Sequence, residues 1–93
     1  MVFLWRGDIV ARFKDETNRF NDIYINIGIK IGYYRRIRGY TQAQLAERAK
    51  ISSGYLSQVE APGMAVAISL ETLLSLAEAL EIPPAKLFEF EDI

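Results

Sequence analysis

The chain has 93 residues and contains neither cysteine nor histidine. Without them there can be no zinc finger, thiol nucleophile, Ser-His triad or haem-histidine ligation, and no histidine-based acid, base or metal scheme. Disulfides are excluded too, so the fold must rest on its core. A reducing cytoplasm fits that composition. Long apolar runs are also lacking. The longest uncharged stretch, residues 61–70, is ten residues long and contains Pro62 and Gly63, whereas a membrane span needs ~20 apolar residues. The apolar start Val2-Phe3-Leu4-Trp5 is cut by Arg6 and Asp8, too soon for the apolar stretch of a secretory signal. A cytoplasmic protein with no membrane association is expected.

What is present fits one small folded domain: 51% apolar and 25% charged residues. The net charge of −1 hides an uneven distribution. Between residues 26 and 59 stand Lys30, Arg35, Arg36, Arg38, Arg48 and Lys50 against Glu47 alone. From residue 60 onward seven acids face Lys86 alone. A basic middle can meet phosphates while an acidic end repels them.

The C-terminal two thirds read as short helices with clear starts and stops. Thr41-Gln42-Ala43-Gln44 fits a capping box, in which threonine and glutamine satisfy each other's backbone amides. The helix it opens turns Leu45, Ala46 and Ala49 inward. Ser52 restarts the pattern as an N-cap, and Leu56 and Val59 face the core. Ala61-Pro62 ends that segment, because a residue before proline is pushed out of the helical region. Ser69 caps the next helix, which carries Leu70, Leu73, Leu74, Ala77 and Leu80 as a stripe. Pro83-Pro84 opens a short last helix docked by Leu87, Phe88 and Phe90.

Ahead of Thr41 the pattern is ambiguous. Ile23, Ile25, Ile27, Ile29 and Ile31 alternate as in a strand. Ile23, Ile27, Ile31 and Tyr34 fit a helix equally well. A lone strand among helices has nothing to pair with, so a helix over about residues 25–38 is expected, with Asp22 as N-cap and Gly39 as its stop. Further upstream, Trp5, Ile9 and Phe13 stand at i, i+4 and i+8, an amphipathic pattern.

Two short helices around a tight turn, on a basic background, form the helix-turn-helix plan. The full series is more specific. It runs through Ile27, Ile31, Tyr34-Arg35, Tyr40-Thr41-Gln42-Ala43-Gln44-Leu45-Ala46, Ile51-Ser52, Tyr55-Leu56-Ser57-Gln58-Val59-Glu60, Ser69-Leu70-Glu71-Thr72-Leu73-Leu74, Ala77, Leu80 and Leu87-Phe88. Over about residues 25–88 it closely resembles the phage-repressor/Cro-like, or XRE, helix-turn-helix family. The resemblance implies an all-α, five-helix domain over residues 23–93, with residues 1–22 as an N-terminal arm or extra helix.

It also implies a sequence-specific regulator of transcription that binds double-stranded DNA as a homodimer on a palindromic site, with no cofactor and no metal. It is not expected to be an enzyme. The helix over about residues 52–60 would lie in the major groove, about 12 Å wide, and read base edges. Its outward residues Ser53, Gly54, Ser57 and Gln58 are small or polar, and glutamine can pair in two-point fashion with adenine. By the same resemblance Gln42 clamps a phosphate, Ser52 and Tyr55 flank the groove, and Arg35 pairs with Glu60. Arg36, Arg38, Arg48 and Lys50 are candidates for phosphate contact.

Two departures stand out. Lys50 occupies the turn position where the family usually has glycine, a site that often needs positive φ at ~1 kcal/mol for any other residue. Residues 61–68 form a long loop with no charge, where relatives commonly carry phosphate donors. Met64, Val66 and Ile68 are expected on its surface. The upstream stripe of Trp5, Ile9 and Phe13 is expected to pack on the C-terminal side of the domain and help build the dimer. The alternative function is a protein-interaction module, or an antitoxin that binds a toxin and keeps only weak DNA binding.

Overall fold

A computed structural model describes residues 19–90. Residues 1–18, with the Trp5, Ile9 and Phe13 stripe, lie outside the described residues. Four α-helices follow one another: α1 (Asn21–Ile37), α2 (Gln42–Ala49), α3 (Ser53–Glu60) and α4 (Leu70–Leu80). A 310 helix, Pro84–Phe88, completes the five helical elements. Its proline-led start and five-residue length favour the tighter winding over an α-helix. There is no strand among the described residues.

The isoleucine alternation resolves as helix. Ile27 and Ile31 are buried, while Ile29 on the far side is 45% exposed. The start differs from expectation. Phe20, not Asp22, is the N-cap, and it makes no side-chain cap hydrogen bond. Asp22 sits in the first turn, where the helix dipole favours an acid.

Each later α-helix is started by a side chain. Gln44 N donates to Thr41 Oγ1 at 3.0 Å and Thr41 N donates to Gln44 Oε1 at 2.9 Å, closing the capping box. Ser52 Oγ accepts from Tyr55 N at 3.0 Å and Ser69 Oγ from Thr72 N at 3.1 Å. Three helices end on left-handed residues, Gly39, Lys50 and Glu81. In each case the next amide reaches back to close the final turn, as Ile51 N does to Ala46 O at 2.9 Å.

The core consists of Ile27, Ile31, Leu45, Ala46, Ala49, Leu56, Val59, Leu73, Leu76, Ala77, Leu80 and Leu87. Helix α4 corrects the expected stripe. Leu76 is fully buried, whereas Leu70 is 68% and Leu74 45% exposed. Five leucines on eleven residues offer two overlapping stripes, and the contact with α2 selects the one through Leu73, Leu76, Ala77 and Leu80. Phe88 is likewise half exposed rather than docked, while Phe90 packs on the core. In the uncharged loop, Val66 and Ile68 turn inward onto the core, and only Met64 lies on the surface as expected.

Helix α1 crosses the end of α3 at very short range. A Cβ built on Gly28 would stand 1.9 Å from the Val59 carbonyl oxygen, so no larger residue fits without parting the two helices. One turn later Gly32 lies under the Glu60 carboxylate, with Oε1 3.1 Å from where its Cβ would be. This crossing fixes where α3 points.

Candidate nucleic-acid interface

The turn between α2 and α3 is set by Lys50, at φ 63° and ψ 42°. Its amide donates to Glu47 O at 3.2 Å, and Ile51 tucks back beneath it. Ser52 then caps α3 with its hydroxyl oxygen. The inner side of α3 is held by Leu56 and Val59, both buried, with Tyr55 half-buried beside them. The outer side carries Ser53, Gly54, Ser57 and Gln58, all exposed. Among the described residues nothing approaches within 4 Å of a Cβ built on Gly54.

Behind α3 lies a polar cluster. Arg35 Nε donates to Glu60 Oε2 at 2.9 Å and to Oε1 at 3.1 Å. Arg35 Nη1 donates to the Tyr40 carbonyl at 2.8 Å. Gln42 Nε2 donates to Glu60 Oε1 at 3.0 Å. The Arg35 and Glu60 side chains are only 14% and 6% exposed, so each needs the other's charge. Gln42, at the first position of α2, is half-buried. Glu60 therefore ties together α1, α2 and the end of α3. The Gln42 amide keeps its second N–H and its carbonyl oxygen for other partners.

The basic residues divide into two sets. Arg38 is committed to α4: its Nε donates to Leu80 O at 2.7 Å and its Nη2 to Glu81 O at 3.0 Å. It thereby satisfies carbonyls that a helix C-terminus otherwise leaves open. Arg48 stacks over the Tyr40 ring at 4.5 Å, and Lys30 lies 5.5 Å from the Tyr33 ring. Arg36 and Lys50 are exposed, and among the described residues neither has an ion pair or a side-chain hydrogen bond. The structure thus groups Gln42, Arg35 and Glu60, places Ser53, Gly54, Ser57 and Gln58 on one open face, and leaves Arg36 and Lys50 as open cations.

Two features escaped the sequence reading. The Gln42–Glu60 hydrogen bond had no local signal. The close crossing did have one, since Gly28 and Gly32 stand four apart on one face of a helix.

A family model described as helix-turn-helix matches residues 31–87. Two solved structures are similar at 31% identity each. The restriction-modification controller protein C.AhdI from Aeromonas hydrophila superposes with a TM-score of 0.65, over 72% of this chain and 97% of that one. The clp gene regulator ClgR from C. glutamicum superposes with a TM-score of 0.64, over 70% of this chain and 82% of that one. Curated proteins give no match.

Proposed function

The chain belongs to the helix-turn-helix family of DNA-binding transcriptional regulators, and from that membership we propose that it recognises one double-stranded DNA sequence as a homodimer. One observation carries the reading. Ser53, Gly54, Ser57 and Gln58 form a single exposed face on α3, backed by a core that fixes the direction of the helix. Such a face enters a major groove without steric conflict and offers hydrogen-bonding groups to base edges.

The roles follow from position. Gln58 reads adenine, and Ser53 and Ser57 read neighbouring bases. Gln42, steadied by Glu60, sits at the N-terminus of α2, where backbone amides and the helix dipole favour a phosphate. Ser52 and Tyr55 border the groove, and Arg36 and Lys50 add charge along the backbone. The exposed Leu70 and Leu74 of α4 offer an apolar surface to a second copy. The work is done in the cytoplasm and requires neither cofactor nor metal.

A second reading is a protein-interaction module or antitoxin whose partner is a toxin and whose DNA binding is weak. The lack of any charged side chain in residues 61–68 favours it. A salt titration of the full chain on random duplex DNA and on DNA upstream of its own coding region separates the two. The DNA reading requires tighter binding to the upstream fragment, and Gln58→Ala and Ser53→Ala should each remove about 1–3 kcal/mol of discrimination at one base pair. Equal binding to both DNAs, unchanged by those substitutions, refutes reading by α3 and supports the second function.

A further inference from the structure

The helical glycines stand in different surroundings. Gly28 and Gly32 leave room within the fold, since a Cβ on either would press on Val59 or on Glu60 and Arg36. Gly54 leaves room for nothing in the fold. It is the second residue of α3, it has no positive φ, and no atom among the described residues lies within 4 Å of a Cβ built on it. Alanine fits there and holds a helix better by ~1 kcal/mol. The space that Gly54 keeps clear opens outward, on the exposed face with Ser53, Ser57 and Gln58.

The chemistry of that space is narrow. A bare Cα offers no strong donor or acceptor, whereas Ser53, Ser57 and Gln58 beside it offer both. The major groove presents donors and acceptors on every base pair and one projecting apolar group, the C5-methyl of thymine. A polar base edge set against Gly54 would lose its water and gain no partner, at a cost. A methyl loses nothing there. Gln58 stands four residues on, about 5–6 Å away along the same ridge. Base pairs stack about 3.4 Å apart, so the two positions address one pair or two adjoining pairs. Adenine, the base that glutamine holds in two-point fashion, brings a paired thymine with it.

We propose that Gly54 is a specificity-determining residue, and that its bare Cα seats a thymine methyl in the pair read by Gln58 or in the adjoining one. The proposal rests on the reading of DNA by α3. An alanine methyl at residue 54 claims the same space as the thymine methyl, so Gly54→Ala gains stability and loses affinity together. Removing the thymine methyl instead frees the space, and the two changes compensate each other.

Footprinting of the full chain on DNA upstream of its own coding region fixes the site. Duplexes carrying deoxyuridine for one thymine at a time then remove single methyls and keep the pairing. The parent should lose about fourfold in affinity at one such thymine, the value of one buried methyl. Gly54→Ala should bind the all-thymine site roughly tenfold more weakly, with a Tm no lower than the parent's. Deoxyuridine at that same thymine should restore most of the loss. Gly63→Ala should bind as the parent does: its surroundings are equally open, but it lies in the turn that Met64 N closes on Ala61 O. The proposal is overturned if Gly54→Ala binds the all-thymine site as tightly as the parent, or if no single deoxyuridine recovers its loss. Recovery only at a pair remote from the one where Gln58→Ala relaxes preference overturns it too, as does an equal loss in Gly63→Ala. A parent with no preference for the upstream DNA removes the reading by α3 and this proposal with it. A parent that keeps its preference, beside an unaffected Gly54→Ala, removes the proposal alone.

Discussion

Gly28 and Gly54 both lie inside helices, and replacing each by alanine is expected to move stability in opposite directions. Alanine is the better helix former by ~1 kcal/mol, so propensity alone predicts a gain at both sites. The surroundings decide otherwise at Gly28. Its new Cβ would meet the Val59 carbonyl oxygen at 1.9 Å and the carbonyl carbon at 3.0 Å. Ordinary carbon–oxygen contacts begin near 3.3 Å, so α1 and α3 must part by more than 1 Å. The opposing group is backbone and cannot rotate away. Parting the helices also loosens Ile27, Ile31, Leu56 and Val59, all buried. Overpacking of this kind costs about 1–3 kcal/mol or more, and the loosened core adds to it. Net of propensity, we expect a loss of ~2 kcal/mol, which lowers Tm by roughly 8–16 °C for a domain of this size. At Gly54 the space is open, so alanine should raise Tm by roughly 3–6 °C through the propensity gain of ~0.8 kcal/mol. Thermal unfolding of the full chain followed by far-UV circular dichroism measures both. A Gly28→Ala protein as stable as the parent would refute the close crossing of α1 and α3.

Replacing Arg35 or Glu60 alone by an apolar residue should cost about 3–5 kcal/mol, because the partner charge is left buried. The double replacement should cost much less than the sum, and additive losses in urea unfolding would show that the pair contributes little. Lys50→Gly and Glu81→Gly should each stabilise by about 1 kcal/mol, since glycine holds positive φ without strain; a loss at either site by the same assay would contradict the left-handed cap. With Arg36 and Lys50 as the open cations, the logarithm of DNA affinity should fall against the logarithm of salt with a slope of about −2 per subunit. Arg36→Ala should remove about one unit of that slope for every DNA sequence alike. A much steeper parent slope would mean that Arg38 and Arg48 leave their intrachain partners.

The parts of the fold that were legible in the sequence are those governed by neighbours along the chain. Thr41, Ser52 and Ser69 cap helices because a short side-chain oxygen reaches an amide three residues on. Lys50 has positive φ because the turn between α2 and α3 closes on itself regardless of the residue supplied. What escaped needed the third dimension. In α4 a surplus of leucines makes two stripes equally good in isolation, and only the packing of α2 selects Leu76 over Leu74. Val66 and Ile68 gave no periodic signal, yet they reach the core because the loop folds back over it. The polar site divides in the same way. The open face of Ser53, Gly54, Ser57 and Gln58 follows from helical spacing, but the bond from Gln42 to Glu60 joins residues 18 apart in sequence. The commitment of Arg38 to Leu80, 42 residues away, is equally invisible locally.

The two left-handed side chains have different physical settings. At the end of α4, Glu81 combines a strained φ of 60° with a negative charge beside a helix C-terminus, where the dipole already concentrates negative potential. Arg38 answers both sources, because its guanidinium donates to the Leu80 and Glu81 carbonyls and lies among those partial charges. Arg38 closes the last turn of α4 from the end of α1, and this use of its donors explains why it cannot count as an open cation. At the end of α2, Lys50 carries a positive charge at a helix C-terminus, where the dipole favours it. No neighbour among the described residues binds its ammonium group, and the strained turn holds it beside the start of α3. Glycine would relax the backbone there and would remove the only cation in the turn that leads into α3. If Lys50 contacts phosphate as proposed, stability and DNA binding pull in opposite directions there, while at Glu81 the strain is offset within the fold itself.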